Sequence, residues 1–121
     1  MEIKKTVVIG ASPNENRYSY KAVKLLSLYS HPVVPIGIRN GSINNIEIIK
    51  GFPEIKDVHT VTIYVGTDRQ SEYYNYIISL NPKRVIFNPG TENPEFYKIL
   101  ETKNIKVVQN CSLVMLNSDL F

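Results

Sequence analysis

Short runs of β-branched and other apolar residues recur through the 121-residue chain and alternate with segments that carry helix signals. The runs predict strands over Thr6–Ile9, Val33–Ile38, Val61–Val65, Arg84–Phe87 and Lys106–Gln109. Several of them are apolar at consecutive positions, which is typical of parallel strands that are covered on both faces. Because a strand–helix–strand connection is right-handed, this alternation predicts a three-layer α/β fold, a doubly wound parallel sheet of about five strands.

The first helix is predicted to begin at Ser19, whose hydroxyl can cap free N–H groups. Its apolar positions fall on one stripe, namely Ala22, Val23, Leu26 and Tyr29. The second strand contains Pro35, which has no N–H for a ladder bond, so we expect an irregular strand there, such as a bulge would produce. The segment 41–51 has no clear assignment: residues 46–49 form either a short strand or part of a loop that covers the site.

Two later helices have stronger start signals. Thr67 and Gln70 have the spacing of a capping box, and the helix that they begin is predicted to end near Asn81-Pro82. Asn93-Pro94-Glu95 combines a polar cap, a proline at the first helical position and an acid in the first turn. This last helix would turn Phe96, Ile99 and Leu100 to the core and close at Asn104.

Composition narrows the class of protein. We expect residues 1–121 to form one domain, because the length fits one core and the sequence shows no repeat or linker. No apolar run has the length of a membrane span and the start MEIKK is polar, so we expect a cytoplasmic protein with no membrane partner. A single cysteine and two histidines predict no disulfide within the chain and no metal site. The net charge of +3 suits an anionic small molecule, whereas the scattered lysines predict no nucleic-acid partner.

The turn in VVIGASPNENRYSYKAV, residues 7–23, occupies the place of a phosphate-binding turn but lacks two glycines of the dinucleotide fingerprint. Gly10 permits a sharp turn, Ser12 offers a hydroxyl, and the N-terminus of the following helix attracts anions. Arg17 and Lys21 near that N-terminus are each unfavourable by about 0.3–1 kcal/mol unless an anion is bound. On the residues alone, a phosphate site and a solvated loop have similar weight.

The end of the second strand separates the candidate nucleotides. NAD enzymes have an Asp or Glu there to hold the ribose hydroxyls, whereas this chain reads Gly37-Ile38-Arg39-Asn40. The guanidinium of Arg39 would suit a phosphate on the ribose. Among nucleotides, the sequence therefore favours an adenosine with a 2′- or 3′-phosphate over plain NAD. The common alternative is that Arg39 is a loop arginine that faces solvent and binds no ligand.

With these residues in view, the chain resembles the small stand-alone CoA-binding domain family, a Rossmann-like module also found at the front of the succinyl-CoA synthetase α-subunit. The resemblance rests on the turn at residues 7–23, VVPIGI at the second strand, FNPGTENPEF after the fourth strand and VVQNCSLVML at the end. Family members typically show a GaS-x-R-x-S turn, an Asn-Pro after the second strand and a late cysteine. The chain departs from that pattern at Ile38-Arg39, which replaces the Asn-Pro, and at Asn88-Pro89, where the family often has a glutamine.

The resemblance implies a site for coenzyme A, with no metal. It implies that the CoA pyrophosphate is surrounded by Gly10, Ala11, Ser12, Arg17 and Ser19. Asn16 and Tyr18 are further candidates in the same turn, and Tyr18 is the aromatic best placed as a platform for adenine. In the other loops, Ile38 and Arg39 would lie by the adenosine, Gly66 and Thr67 would close over it, and Pro89, Gly90 and Asn93 would line the far side.

The chemistry of the chain favours binding without catalysis. A synthetase-type ligase needs a phosphorylatable histidine, and neither His31 nor His59 follows the carboxyl end of a predicted strand. Cys111 is either a buried small residue or a thiol near the CoA sulfur that forms a mixed disulfide. We expect a sensing or carrier module for CoA or an acyl-CoA. The alternatives are an NADP- or other nucleotide-binding regulatory domain, a ligand-free protein-interaction domain, and an acyl-CoA enzyme completed by a partner chain. The sequence leaves open a homo-oligomer or an unidentified protein partner.

Overall fold

A parallel sheet of five strands forms the centre of the fold. The computed structural model describes residues 2–121, and its strands are β1 (Thr6–Ile9), β2 (Val33–Ile36), β3 (Ser42–Ile43), β4 (Ile46–Glu47), β5 (Thr60–Ile63), β6 (Arg84–Phe87) and β7 (Lys106–Gln109). The sheet has the order β2-β1-β5-β6-β7, and β3 and β4 pair separately as an antiparallel hairpin. Three of the five predicted strands have the predicted bounds, whereas β2 ends two residues early and β5 is displaced toward the N-terminus.

Helices cover both faces of this sheet. They are α1 (Tyr18–Leu28), a 3-10 helix (Thr67–Tyr73), α2 (Tyr74–Leu80), α3 (Pro94–Thr102) and α4 (Ser112–Asn117). α1 and α4 bury Leu26 and Leu116 against one face, whereas α2 and α3 bury Ile77 and Phe96 against the other. The predicted three-layer, Rossmann-like α/β fold is confirmed.

The order of the strands places a switch point between β1 and β5. From β1 the chain passes to β2 on one side, and it then crosses back to β5 on the other side. The two following connections continue outward, to β6 and then to β7. Loops that leave β1 and β5 therefore diverge at the carboxyl edge, which is where open α/β sheets bind ligands.

The predicted irregularity at Pro35 is wrong. β2 pairs regularly with β1, and Pro35 lies opposite Val8. Because β2 is an edge strand, the backbone of Pro35 faces outward, where its carbonyl accepts a 2.9 Å hydrogen bond from the Ile49 N–H. The missing N–H therefore costs no bond within the sheet. Ile46–Glu47 forms a short strand, as one of the two alternatives had it, and Asn44 begins the left-handed turn of the hairpin (φ 49°).

The predicted helix caps at Ser19 and Thr67 are wrong, because these side chains do not bond to the first N–H groups of their helices. The cap position of α1 belongs to Arg17, with extended backbone (φ −80°, ψ 143°), and Ser19 is buried inside the helix. Gly66, not Thr67, precedes the 3-10 helix, and neither Thr67 nor Gln70 makes a cap bond.

The signals at the ends of α2 and α3 are confirmed. Asn81 closes α2 with a left-handed backbone (φ 48°), and Asn93 caps α3 by accepting a 3.1 Å hydrogen bond from the Phe96 N–H. Asn104, also left-handed (φ 60°), follows α3. Tyr29 is 39% exposed and lies off the buried stripe of α1, contrary to expectation. Within residues 2–121, no helix combines the length and the apolar character that crossing a bilayer would require.

Candidate functional site

A cleft of about 500 Å³ lies at the carboxyl edge of the sheet, around the switch point. Its walls come from the loops after β1, β2, β5 and β6 and from the first turn of α1. The lining residues are Gly10, Ala11, Ser12, Asn14, Arg17, Tyr18, Ser19, Gly37, Ile38, Arg39, Tyr64, Val65, Gly66, Arg69, Tyr73, Pro89, Gly90 and Thr91.

The floor of the cleft is a tight contact between the loops that leave β1 and β2. The N–H groups of Gly10 and Ala11 both donate to the carbonyl of Ile36, each at 2.9 Å. Gly10 has a φ of 94°, and a Cβ at Gly37 would lie 2.1 Å from the carbonyl oxygen of Ala11. Neither position has room or backbone freedom for a larger residue, so glycine is required at both.

The N-terminus of α1 faces the cleft without a capping side chain. Arg17, Tyr18 and Ser19 all line the cleft, and no side chain bonds to the first N–H groups of the helix. These N–H groups have no partner inside the helix, and they carry the positive end of its dipole. The Ser12 hydroxyl accepts a 3.1 Å bond from the Asn14 N–H, which leaves its own proton able to donate. The turn therefore presents several donors to one region of the cleft.

Three arginines line the cleft, and no carboxylate does. Arg17 and Arg39 were predicted, whereas Arg69, in the 3-10 helix, was not. Within residues 2–121, none of the three guanidinium groups makes a side-chain hydrogen bond or an ion pair. Three arginines and an uncapped helix N-terminus give the lining of this cleft an excess of positive charge, although the Glu92 carboxylate accepts a bond from the N–H of the lining residue Gly90 at 3.0 Å.

A buried glutamine connects the two loops on the far side of the cleft. Gln70 is fully buried, and its Nε2 donates to the carbonyls of Val65 (3.1 Å) and Thr91 (2.7 Å). Its Oε1 accepts a 2.9 Å bond from Nδ2 of Asn93, which also donates to the Tyr74 hydroxyl at 2.8 Å. Because Val65 and Thr91 both line the cleft, this side chain fixes the positions of these two loops relative to each other.

A second polar cluster lies beneath the cleft. Nδ2 of Asn88 donates to the Thr62 hydroxyl (2.7 Å), which pairs with the Ser112 hydroxyl (2.8 Å). The hydroxyl of Tyr64 is buried beside the Ser112 and Thr62 hydroxyls, and burial raises the pKa of this phenol, an effect that these two neighbours partly offset. Cys111 is half-buried at the start of α4, and it does not line the cleft.

The structure brings most of the predicted residues together and leaves three outside. The lining includes Gly10, Ala11, Ser12, Arg17, Tyr18, Ser19, Ile38, Arg39, Gly66, Pro89 and Gly90, but it does not include Asn16, Thr67 or Asn93. Asn16 is exposed in the first turn, the Thr67 hydroxyl donates to the Glu92 carbonyl, and Asn93 is occupied as a cap.

Seven lining residues were not predicted. They are Asn14, Gly37, Tyr64, Val65, Arg69, Tyr73 and Thr91. Arg69 had a usable signal, since it lies three residues after Gly66 in a segment already assigned to the site, whereas the others depend on how the loops pack. Within residues 2–121, no three His, Cys, Asp or Glu side chains are grouped as metal ligands.

Comparison with known structures supports the fold. The chain is similar over its full length, and over the full length of its match, to an uncharacterised protein of known crystal structure, with 45% identity and a TM-score of 0.97. It is also similar to the protein ID.343 from Thermus thermophilus (21% identity, TM-score 0.84, 98% of this chain and 91% of that one). A hypothetical protein from Pyrococcus horikoshii OT3 matches with 22% identity and a TM-score of 0.85, over 98% of this chain and 84% of that one. The last two likenesses show the fold alone.

Comparison with protein families gives the assignment. No curated protein matches the chain. The family described as the CoA binding domain matches residues 4–117, which is nearly the whole chain and includes every residue that lines the cleft. The chain belongs to the family of small CoA-binding domains.

Proposed function

We propose that this protein binds coenzyme A or an acyl-CoA in the carboxyl-edge cleft and acts as a sensing or carrier module without catalysis. One observation carries the proposal: an uncapped helix N-terminus and three arginines face a cleft that has no carboxylate in its lining. Coenzyme A carries a pyrophosphate and a 3′-phosphate, so it offers anions to several separate donors. Membership of the CoA-binding family supports the same ligand.

The pyrophosphate would lie against the first turn. The N–H groups at the start of α1 and the Ser12 hydroxyl can donate to its oxygens, and Arg17 can neutralise its charge. Gly10 and Ala11 act differently from the donors of a dinucleotide fingerprint, because their N–H groups are bonded to Ile36. Their role in the proposal is to shape the turn.

The adenosine would lie between the first turn and the end of β2. Tyr18 and Ile38 are 67% and 65% exposed, and both line the cleft, so a base can cover apolar surface there. Arg39, beside Ile38, would then bind a phosphate on the ribose. This pairing also favours the second candidate, NADP, whose 2′-phosphate would meet the same guanidinium.

Ligand panels separate these two functions. We would measure thermal shifts with CoA, acetyl-CoA, 3′-dephospho-CoA, NAD and NADP. A ligand at a hundred times its Kd stabilises the fold by about 2.7 kcal/mol, which corresponds to a rise in Tm of roughly 10 °C. A shift with NADP and none with CoA would contradict the proposal in favour of the second candidate. No shift with any ligand would favour a protein-interaction domain.

Charge-removing variants test the placement of the ligand. Arg17→Gln should weaken CoA about tenfold or more, because a hydrogen bond to a charged group is worth about 1.5–3 kcal/mol. Arg39→Gln should weaken CoA but leave 3′-dephospho-CoA unchanged, since the second ligand lacks the phosphate that Arg39 would bind. Lys98→Gln, which removes an exposed charge on α3 outside the cleft, is the matched control and should bind as the wild type does. Equal losses for both ligands in Arg39→Gln would refute the assignment of the ribose phosphate.

A further inference from the structure

The opposite edge of the sheet has a groove of its own. This groove, of about 650 Å³, lies where β1, β5 and β6 begin, and therefore at the amino edge, away from the CoA cleft. Its basic lining residues are Lys5, His59 and Lys83, one from the start of each of these strands. Ile3, Pro32, Val58 and Leu80 give it an apolar wall.

Backbone hydrogen bonds hold the three basic residues in adjacent positions. The carbonyl of Lys5 accepts from the N–H groups of His59 (3.0 Å) and Thr60 (3.1 Å). The carbonyl of His59 in turn accepts from the N–H groups of Lys83 (2.9 Å) and Arg84 (3.3 Å). Adjacent strands lie about 4.8 Å apart, so the three side chains leave neighbouring points of one rigid edge. The backbone positions of the three basic residues are therefore fixed by the sheet.

A buried guanidinium adds to the positive charge at this edge. Nε of Arg84 donates to the Thr60 hydroxyl at 2.8 Å, and the same hydroxyl contacts Nδ1 of His59 at 2.7 Å. Nη2 of Arg84 is buried and has no hydrogen-bond partner among residues 2–121. A buried donor on a cation is costly when no acceptor compensates it. The guanidinium carbon lies 4.5 Å from the centre of the Phe121 ring and Arg84 does not line the groove, so its charge acts on the groove through His59 and Thr60.

The charges that face His59 are mostly positive. The pKa of His59 is lowered, first by burial and then by the neighbouring positive charges of Arg84, Lys4 and Lys83. Only Glu2 raises it. Asp57 is the single carboxylate in the groove, whereas the ammonium of Lys5 is bound to the Lys56 carbonyl at 2.7 Å. An anion in the groove would offset this excess of positive charge.

We propose that the amino-edge groove is a second ligand site, which binds the phosphate group of a small phosphorylated molecule. The Lys83 ammonium and Nε2 of His59 face the phosphate, and the apolar wall takes the rest of the molecule. Nδ1 of His59 is held by Thr60, which leaves Nε2 as the nitrogen that donates to the ligand. This site is independent of whether the carboxyl-edge cleft binds CoA.

Two-dimensional amide NMR with inorganic sulfate tests the site, because sulfate mimics phosphate and keeps its charge across neutral pH. We expect saturable shifts in the amides of residues 57–60 and 81–84, separate from any shifts at residues 10–19. Lys83→Gln should weaken sulfate at the groove about two- to fivefold, as expected for the loss of one exposed charge pair. Lys98→Gln should behave as the wild type does.

Histidine titration gives a second readout. Bound sulfate favours the protonated imidazole, so the pKa of His59, followed by its ring protons, should rise when sulfate is added. The rise should be smaller in Lys83→Gln, since the ligand binds more weakly there. Amide shifts confined to the carboxyl-edge loops, or a pKa of His59 that does not respond to sulfate, would overturn the proposal.

Discussion

Removing the hydrogen bonds of the buried Gln70 tests whether this side chain holds the loops of the cleft in place. Gln70→Leu keeps the side chain's size but leaves the carbonyls of Val65 and Thr91 and one N–H of Asn93 without a partner. All four residues are buried, so water cannot readily replace the lost bonds. At about 1 kcal/mol for each lost bond, we expect the free energy of unfolding to fall by about 3 kcal/mol, which lowers Tm by roughly 10 °C.

Urea unfolding measures the first part of this prediction, and CoA titration measures the second. Because Val65 and Thr91 belong to two neighbouring loops that line the far side of the cleft, the loss of the bridge should also weaken the proposed binding of CoA at temperatures where the variant is folded. Gln109→Leu makes the same chemical change at an exposed position on β7 and should alter stability by less than about 0.5 kcal/mol. If Gln70→Leu unfolds at the wild-type urea concentration, the bridge does not hold the loops as we argue. If only its stability falls, the bridge does not shape the cleft.

Three further predictions follow from other contacts. Gly37→Ala should destabilise the protein by more than 2 kcal/mol in urea unfolding, because its Cβ would meet the Ala11 carbonyl at 2.1 Å. Gly66→Ala is the control: its Cβ meets only a flexible side chain, so a comparable loss there would contradict the clash. Asn93→Ala should cost about 3 kcal/mol, because it removes the cap and also the bonds to Gln70 and Tyr74, and an unchanged thermal melt would refute these roles. Burial lowers the pKa of His31, so the unfolded chain binds protons more readily than the folded one. The free energy of unfolding should therefore fall as the pH drops below 6.5, and His31→Gln should lose less of it between pH 7.5 and 5.5 than the wild type does.

The parts of the fold that local pattern determines could be predicted from the sequence. The apolar runs became the five strands because parallel strands buried on both faces need such runs, and Asn93-Pro94-Glu95 began a helix as its chemistry requires. Gly10 and Arg17 could be assigned to the cleft because the loop after the first strand of such a sheet lies at the switch point. Each of these depends on residues that are close in the chain.

The parts that failed depend on contacts between distant residues. Thr67 and Gln70 have the spacing of a capping box, yet the Gln70 side chain is drawn to Val65 and Thr91, and the latter lies 21 residues away. Pro35 indicated an irregular strand because its place at the edge of the sheet is not visible in its neighbours. Tyr64 and Tyr73 line the cleft only because of how the loops after β5 pack, which their neighbours in the sequence do not specify.

The position of Pro35 has a consequence for assembly. The outer side of β2 has no donor at Pro35, and the segment around Ile49 already bonds to it through the Pro35 carbonyl and the Gly37 N–H. This border of the sheet is therefore closed to strand addition from another chain. The other border, β7, pairs on one side only, and its end residues Lys106 and Gln109 are exposed. A second copy that extended the sheet would therefore have to pair its own β7 with this β7. Both remaining edges of such a sheet would be β2 edges, which accept no strand, so the assembly would stop at a dimer.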